Sequence, residues 1–231
     1  MNILDFRPQI HAIYSGTRMN QVLYEQYKQF QSRGCRAEAG DAVNKFILSF
    51  GSPKEKENFT RWFFENDFRG EKIRHELYSR ILFPVLIDGY GKKEPWSMLQ
   101  LSRTEENIFQ VESEQHGNNL QPASQTFRDL AKVSLLREYI KLEPTDSTAR
   151  VELISAQIDW FRYCEHEWPW GILYGQNGAT EAECREILDE VSFVRDLDIE
   201  QKYKEYFDPF ESRVRIYMEE IVKRKQGSGS T

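Results

Sequence analysis

Apolar positions recur at intervals of three and four along most of the chain, the spacing that lines side chains up on one face of an α-helix. Met19, Val22, Leu23, Tyr27 and Phe30 form one such stripe, and Val43, Phe46, Ile47 and Phe50 a second. Ser52-Pro53-Lys54-Glu55 is a capping box with proline at the first helical position, opening a helix whose Phe59, Trp62 and Phe63 share a face. Ile73, Leu77 and Ile81 make a stripe that should end near Pro84. Further stripes begin at Phe127, Leu130 and Ala131, and at Val151, Ile154, Ile158 and Phe161. Thr180 and Glu183 form another capping box, placed after the turn Gly175-Gln176-Asn177-Gly178. It opens the stripe Cys184, Ile187, Leu188, Val191 and Val194. Ser102 with Glu105 is a third, weaker box.

The C-terminal segment has the clearest period: Tyr203, Tyr206, Phe207, Phe210, Val214, Tyr217, Met218 and Ile221. Asp208-Pro209 falls within it and predicts a kink or two abutting helices. Only Phe83 to Ile87 reads ambiguously between strand and helix. The expected fold is all-α, with roughly eight or nine helices as an antiparallel bundle or stacked helix pairs. Breaks are expected at Asp88-Gly89-Tyr90-Gly91-Lys92-Lys93 and in the polar stretch Glu112 to Pro122. Residues 1–226 are read as one domain with a subdivision near 112–122, and 227–231 as a flexible tail of linker composition.

One junction carries a family likeness. Tyr139-Ile140-Lys141-Leu142-Glu143-Pro144-Thr145-Asp146, followed by Ala149, resembles the end of a tetratricopeptide helix pair running into its successor. The likeness is confined to that junction, with no second copy at the 34-residue period of such repeats. It implies stacked antiparallel helices and no chemistry.

Composition narrows the function classes. The chain has 231 residues, 39% apolar and 13% aromatic, too rich in large rings for a disordered chain. No window is apolar for the length of a membrane span. Asp5 and Arg7 occupy the place where a secretory leader would be apolar. Cys35, Cys164 and Cys184 are an odd set without CxxC spacing, which encodes neither a disulfide framework nor a zinc knuckle. Together these favour a reducing, cytoplasmic compartment. The net charge of −6 argues against general nucleic-acid binding, and no cofactor motif is present.

Catalytic signals are sparse. Of His11, His75, His116 and His166, two precede a glutamate, in His75-Glu76 and His166-Glu167. Neither has the spacing that stacks metal ligands on one helix face. Glu71 and His75 are four apart, and Cys164 lies two before His166. A metal-assisted hydrolase using His166 and Glu167, with His75 brought in from another helix, is therefore the alternative expectation; otherwise these side chains pair at helix ends. Arg33 and Arg36 beside Cys35 would activate an exposed thiol, while Cys164 and Cys184 read as small core residues.

Two features point elsewhere. Trp168-Pro169-Trp170-Gly171-Ile172-Leu173-Tyr174-Gly175 crowds large apolar side chains into a short non-helical stretch. Buried, it would plug the core between the helices flanking it, which is the expectation because a large exposed apolar patch is a liability. Exposed, it would supply binding anchors; in the intermediate case Trp170 and Tyr174 line a groove. The second feature is charge. Residues 151–211 carry 15 acidic against 5 basic side chains, while residues 1–150 stand at +1 and 212–231 at +3. Glu181, Glu183 and Glu186 open one helix of that stretch, more than macrodipole complementarity requires. The expected function is a protein–protein interaction module that engages a basic protein through Trp168, Trp170, Tyr174, Glu181, Glu183 and Glu186. An inhibitor of immunity or antitoxin type, or an adaptor, fits that description. A helical scaffold binding through uncharged grooves is the remaining alternative.

Overall fold

The computed structural model describes residues 18–116, 129–174 and 178–228. Outside them lie His11, the larger part of the expected break at 112–122, the stripe start at Phe127, residues 175–177 of the expected turn, and 229–231. The described residues form ten helices and no strand, so the chain is all-α. It divides into two compact units, Met1–Leu135 and Leu136–Thr231.

In the first unit, α1 (Arg18–Ser32) and α2 (Arg36–Leu48) form a hairpin across a short turn. α3 (Pro53–Asn66) starts as its capping box predicts, with Ser52 Oγ accepting from the Glu55 N–H at 3.3 Å. α4 spans 75–91 without a break, built of α-helical His75–Leu77, one π turn at Tyr78–Leu82 and α-helical Phe83–Gly91. The expected helix end near Pro84 is not found, and of the expected break at 88–93 only Lys92-Lys93 is a turn. The wide turn, in which the Phe83 N–H bonds the Tyr78 carbonyl, admits Pro84, so the helix does not stop there. Phe83 to Ile87 is therefore helix, and the helix carries on through both glycines to Gly91. α5 (Pro95–Ser102) follows at once and lies so close that a Cβ on Gly89 would clash with Ser97. α6 (Glu105–His116) completes the unit. Ser102 does not cap it: its hydroxyl donates back to the Leu99 carbonyl, 2.8 Å away, inside α5.

The core of this unit is aromatic. Tyr24, Phe46, Phe59 and Phe63 are almost fully buried, with Tyr24, Phe46 and Phe59 in mutual contact at ring separations of 4.9–5.2 Å. Tyr24 keeps its hydroxyl satisfied by donating to Asp67 at 2.6 Å, and Tyr78 pairs with Thr104 at 2.8 Å.

The second unit holds most of α7 (Lys132–Leu142), then α8 (Ser147–Cys164), α9 (Glu181–Leu197) and α10 (Lys204–Ser228). The tetratricopeptide-like junction is a helix–turn–helix. Asp146 caps α8 by accepting from Thr148 and Ala149 N–H groups, and its other oxygen accepts from the Tyr139 hydroxyl at 2.8 Å. Val151 lies at the rim, 41% exposed, while Ile154, Ile158 and Phe161 turn inward. α10 is one helix. Pro209 lies in its second turn, where only one carbonyl, that of Glu205, loses its N–H partner. Gly227 and Ser228, expected in a flexible tail, continue this helix.

Burial sorts the three thiols. It pushes Cys164 up to about 12 and Cys184 up to about 11, so neither forms thiolate near neutrality, whereas Cys35 is partly exposed. A disulfide exchange reagent at about pH 8 is expected to react promptly with Cys35 alone and with all three thiols after unfolding. Prompt reaction of the Cys35→Ser variant would contradict this packing.

Candidate partner-binding site

The aromatic stretch after α8 is held by backbone before any side chain is considered. Glu165 N–H bonds the Phe161 carbonyl as α8 ends, and Trp168–Trp170 forms a single 3-10 turn around Pro169. Gly171, at φ +72°, reverses the chain in a conformation that only glycine adopts without cost. The strand of chain then folds back: Ile172 N–H bonds the Glu167 carbonyl at 3.3 Å, and Tyr174 N–H bonds the Cys164 carbonyl at 2.9 Å. Leu173 enters the core and is fully buried.

The loop is thus neither plug nor free anchor, because backbone reversal divides its side chains. Trp168 is half-buried, 6.3 Å from the Tyr217 ring. Trp170, at the outer end of the turn, is 80% exposed. Tyr174 is half-buried and takes φ +50°, a left-handed conformation costing a Cβ-bearing residue about 1–2 kcal/mol. That backbone places its ring edge-on between Trp160, at 6.4 Å, and Tyr163, at 6.3 Å. Tyr163 is 58% exposed and stacks on His166 with centroids 5.1 Å apart. A continuous run of rings, Trp160–Tyr174–Tyr163–His166, therefore leads from half-buried Trp160 and Tyr174, packed on the core, out to exposed Tyr163 and His166. Sequence reasoning missed Trp160 and Tyr163. Their one signal was two large rings three residues apart, off the buried stripe of α8.

His166 is occupied locally: Nδ1 lies 2.6 Å from the Tyr163 carbonyl oxygen and Nε2 lies 3.2 Å from Glu167. His75 opens α4 in the first unit, with Nε2 2.7 Å from Glu114 of α6. Among the described residues, no three or more His, Cys, Asp or Glu side chains are placed to hold one ion.

Part of the acidic charge of 151–211 is paired within the second unit, some of it by arginines from outside the stretch. Arg137 pairs with Glu190, Arg213 with Glu165, and Arg195 bridges Asp208 at 2.5 Å and Glu211 at 2.7 Å. Asp198 is buried and accepts from the Lys202 and Tyr203 N–H groups at the approach to α10. Glu181 pairs with Arg185 at 2.6 Å. Glu183 completes the capping box, and hydrogen bonds from the Thr180 N–H and hydroxyl hold its carboxyl below the usual range. Its stabilising contribution is present above the ordinary carboxylate range and is lost as pH falls through the lowered value. Glu183 therefore has a structural role that its predicted steering role overlooked. Glu186, Asp189 and Asp196 remain exposed on α9, at spacings of three and seven that share a face.

No protein-family model matches the chain, and neither curated proteins nor solved structures give a match.

Proposed function

We propose that the protein is a protein–protein interaction module, an inhibitor or adaptor, whose second unit docks on a basic partner. The observation that carries this reading is Trp170, 80% exposed on a turn whose backbone is fixed on both sides. With the backbone already ordered, binding needs no ordering of the chain at this turn, and large exposed rings of this kind dominate interface energies. Tyr163 and Tyr174 extend the apolar contact, and Glu186, Asp189 and Asp196 supply the sign that selects the partner.

The test is affinity capture at low salt with mass spectrometry, followed by kinetics on the purified pair. Charge reversal belongs at Glu186 and Asp189, because reversing Glu183 also removes a helix cap. A basic partner is expected to bind wild type, to lose at least about thirtyfold in affinity with Trp170→Ala, and to associate about tenfold more slowly with Glu186→Lys/Asp189→Lys. A partner bound within twofold by both variants would refute the assignment.

A further inference from the structure

The first unit carries a groove that the interaction reading does not use. It has a volume of about 710 Å³ and runs between the start of α3, the second half of α4 and the start of α5. That size is in the range of small-molecule sites. Phe50, Pro53, Pro84, Val85 and Trp96 give it apolar walls. Its floor at Gly89 is sealed by Ser97, which leaves no gap between α4 and α5.

The polar groups of the groove decide what could enter. Three carboxylates line it and each is already matched: Glu57 by Lys54 at 2.9 Å, Asp88 by Lys92 at 2.5 Å, and Glu94 by Arg61 at 3.4 Å. The Arg61 guanidinium is also fixed over the Trp96 ring at 4.6 Å and reaches Glu57 at 3.4 Å. Lys56 is different. It is half-buried, its ammonium donates only a long 3.5 Å bond to the Arg80 carbonyl, and no described carboxylate stands within ion-pair distance. A cationic ligand would have to displace an existing cation from its carboxylate. An anion would find Lys56 available, and the mutual pairing of the others leaves the lining with one excess positive charge.

We infer that this groove binds an organic anion, a carboxylate carried on an apolar body, with Lys56 facing the carboxylate and Val85, Pro84 and Phe50 the body. The same chemistry has two sources, a free carboxylic acid or the C-terminal carboxylate of a peptide with an apolar last residue.

The full-length chain is titrated with 4-phenylbutyrate, and the Trp96 indole N–H is followed by NMR. A saturable shift is expected, with 4-phenylbutyramide at least tenfold weaker. Lys56→Gln is expected to weaken phenylbutyrate several-fold, and Val85→Trp to abolish the shift while the helical circular dichroism is retained. An acetylated tripeptide ending in Phe, with a free carboxylate, separates the sources: tighter binding than phenylbutyrate assigns the site to a chain terminus, weaker binding to a free acid. No saturable shift up to about 10 mM, where even affinities near 4 kcal/mol register, overturns the inference. So does equal binding of the amide, or binding indifferent to Lys56→Gln.

Discussion

Replacing Phe161 with alanine is expected to cost about 3–5 kcal/mol, a large share of the margin by which a domain stays folded. Phe161 is fully buried, with its ring 4.7 Å from that of Phe210 on α10 and 5.4 Å from Trp160. Phe207 and Val214 of α10 and Val191 and Val194 of α9 belong to the same cluster, all close to fully buried. Truncation would leave a cavity walled by helices, which can relax only partly. Urea unfolding should show the midpoint fall with little change in slope. Phe161→Leu is expected to cost well under half as much, because it keeps most of the volume. A loss below about 1 kcal/mol for the alanine variant would mean that α8 does not pack as described. The same substitution should abolish partner binding, since Trp160 and Tyr163 flank Phe161 on α8. Binding lost through unfolding is separable from binding lost at Trp170, because Trp170→Ala is expected to leave the unfolding free energy within about 0.5 kcal/mol of wild type.

Gly89→Ala is the second large effect, and its sign is the informative part. Glycine to alanine inside a helix ordinarily stabilises by about 0.5–1 kcal/mol. Here the new methyl would collide with Ser97 Oγ and approach its Cβ to 2.8 Å, and Ser97 is 1% exposed with no room to retreat. The expected outcome is a net destabilisation of about 1–3 kcal/mol, the usual cost of overpacking. Ser97→Gly in the same chain should recover part of that loss, and the double-mutant cycle isolates the contact. Ser97→Ala should recover less, because it removes the Oγ overlap but leaves its Cβ 2.8 Å from the new methyl. A stabilising Gly89→Ala would show that α4 and α5 stand further apart than described. The reading of Gly89 as a chain break failed for this reason. A glycine needed for close approach and a glycine needed for a turn look alike until the facing residue is known.

The candidate site was legible in part. Trp168, Trp170 and Tyr174 stood out because large rings beside Pro169 and Gly171 have no helical face to join. Their division into one exposed and two half-buried rings depends on the reversal at Gly171 and on two backbone hydrogen bonds, to the Cys164 carbonyl at the end of α8 and to that of Glu167, which no local pattern encodes. The acidic stretch was legible as a count but not as a surface. Glu165 and Glu190 find Arg213 and Arg137, 48 and 53 residues away, so a local sum of charges overstated what reaches solvent. Trp160 and Tyr163 were passed over because two rings off the buried stripe of a helix become a feature only when Tyr174 and His166 meet them.

What the sequence determined alone is whatever short-range physics controls: helical periodicity, the capping boxes at Ser52 and Thr180, the buried stripe of α9, and the all-α class that follows from them. Each depends on residues within a turn or two of one another, so the local chain carries the whole signal. The tertiary structure decided the rest: that Gly89 is a packing contact, which acidic groups are neutralised, and which rings are exposed. These turn on elements meeting in space, from Gly89 and Ser97 in successive helices to Arg137 and Glu190, 53 residues apart. Burial and pairing are properties of that meeting, with energies of a few kcal/mol that no local propensity contains.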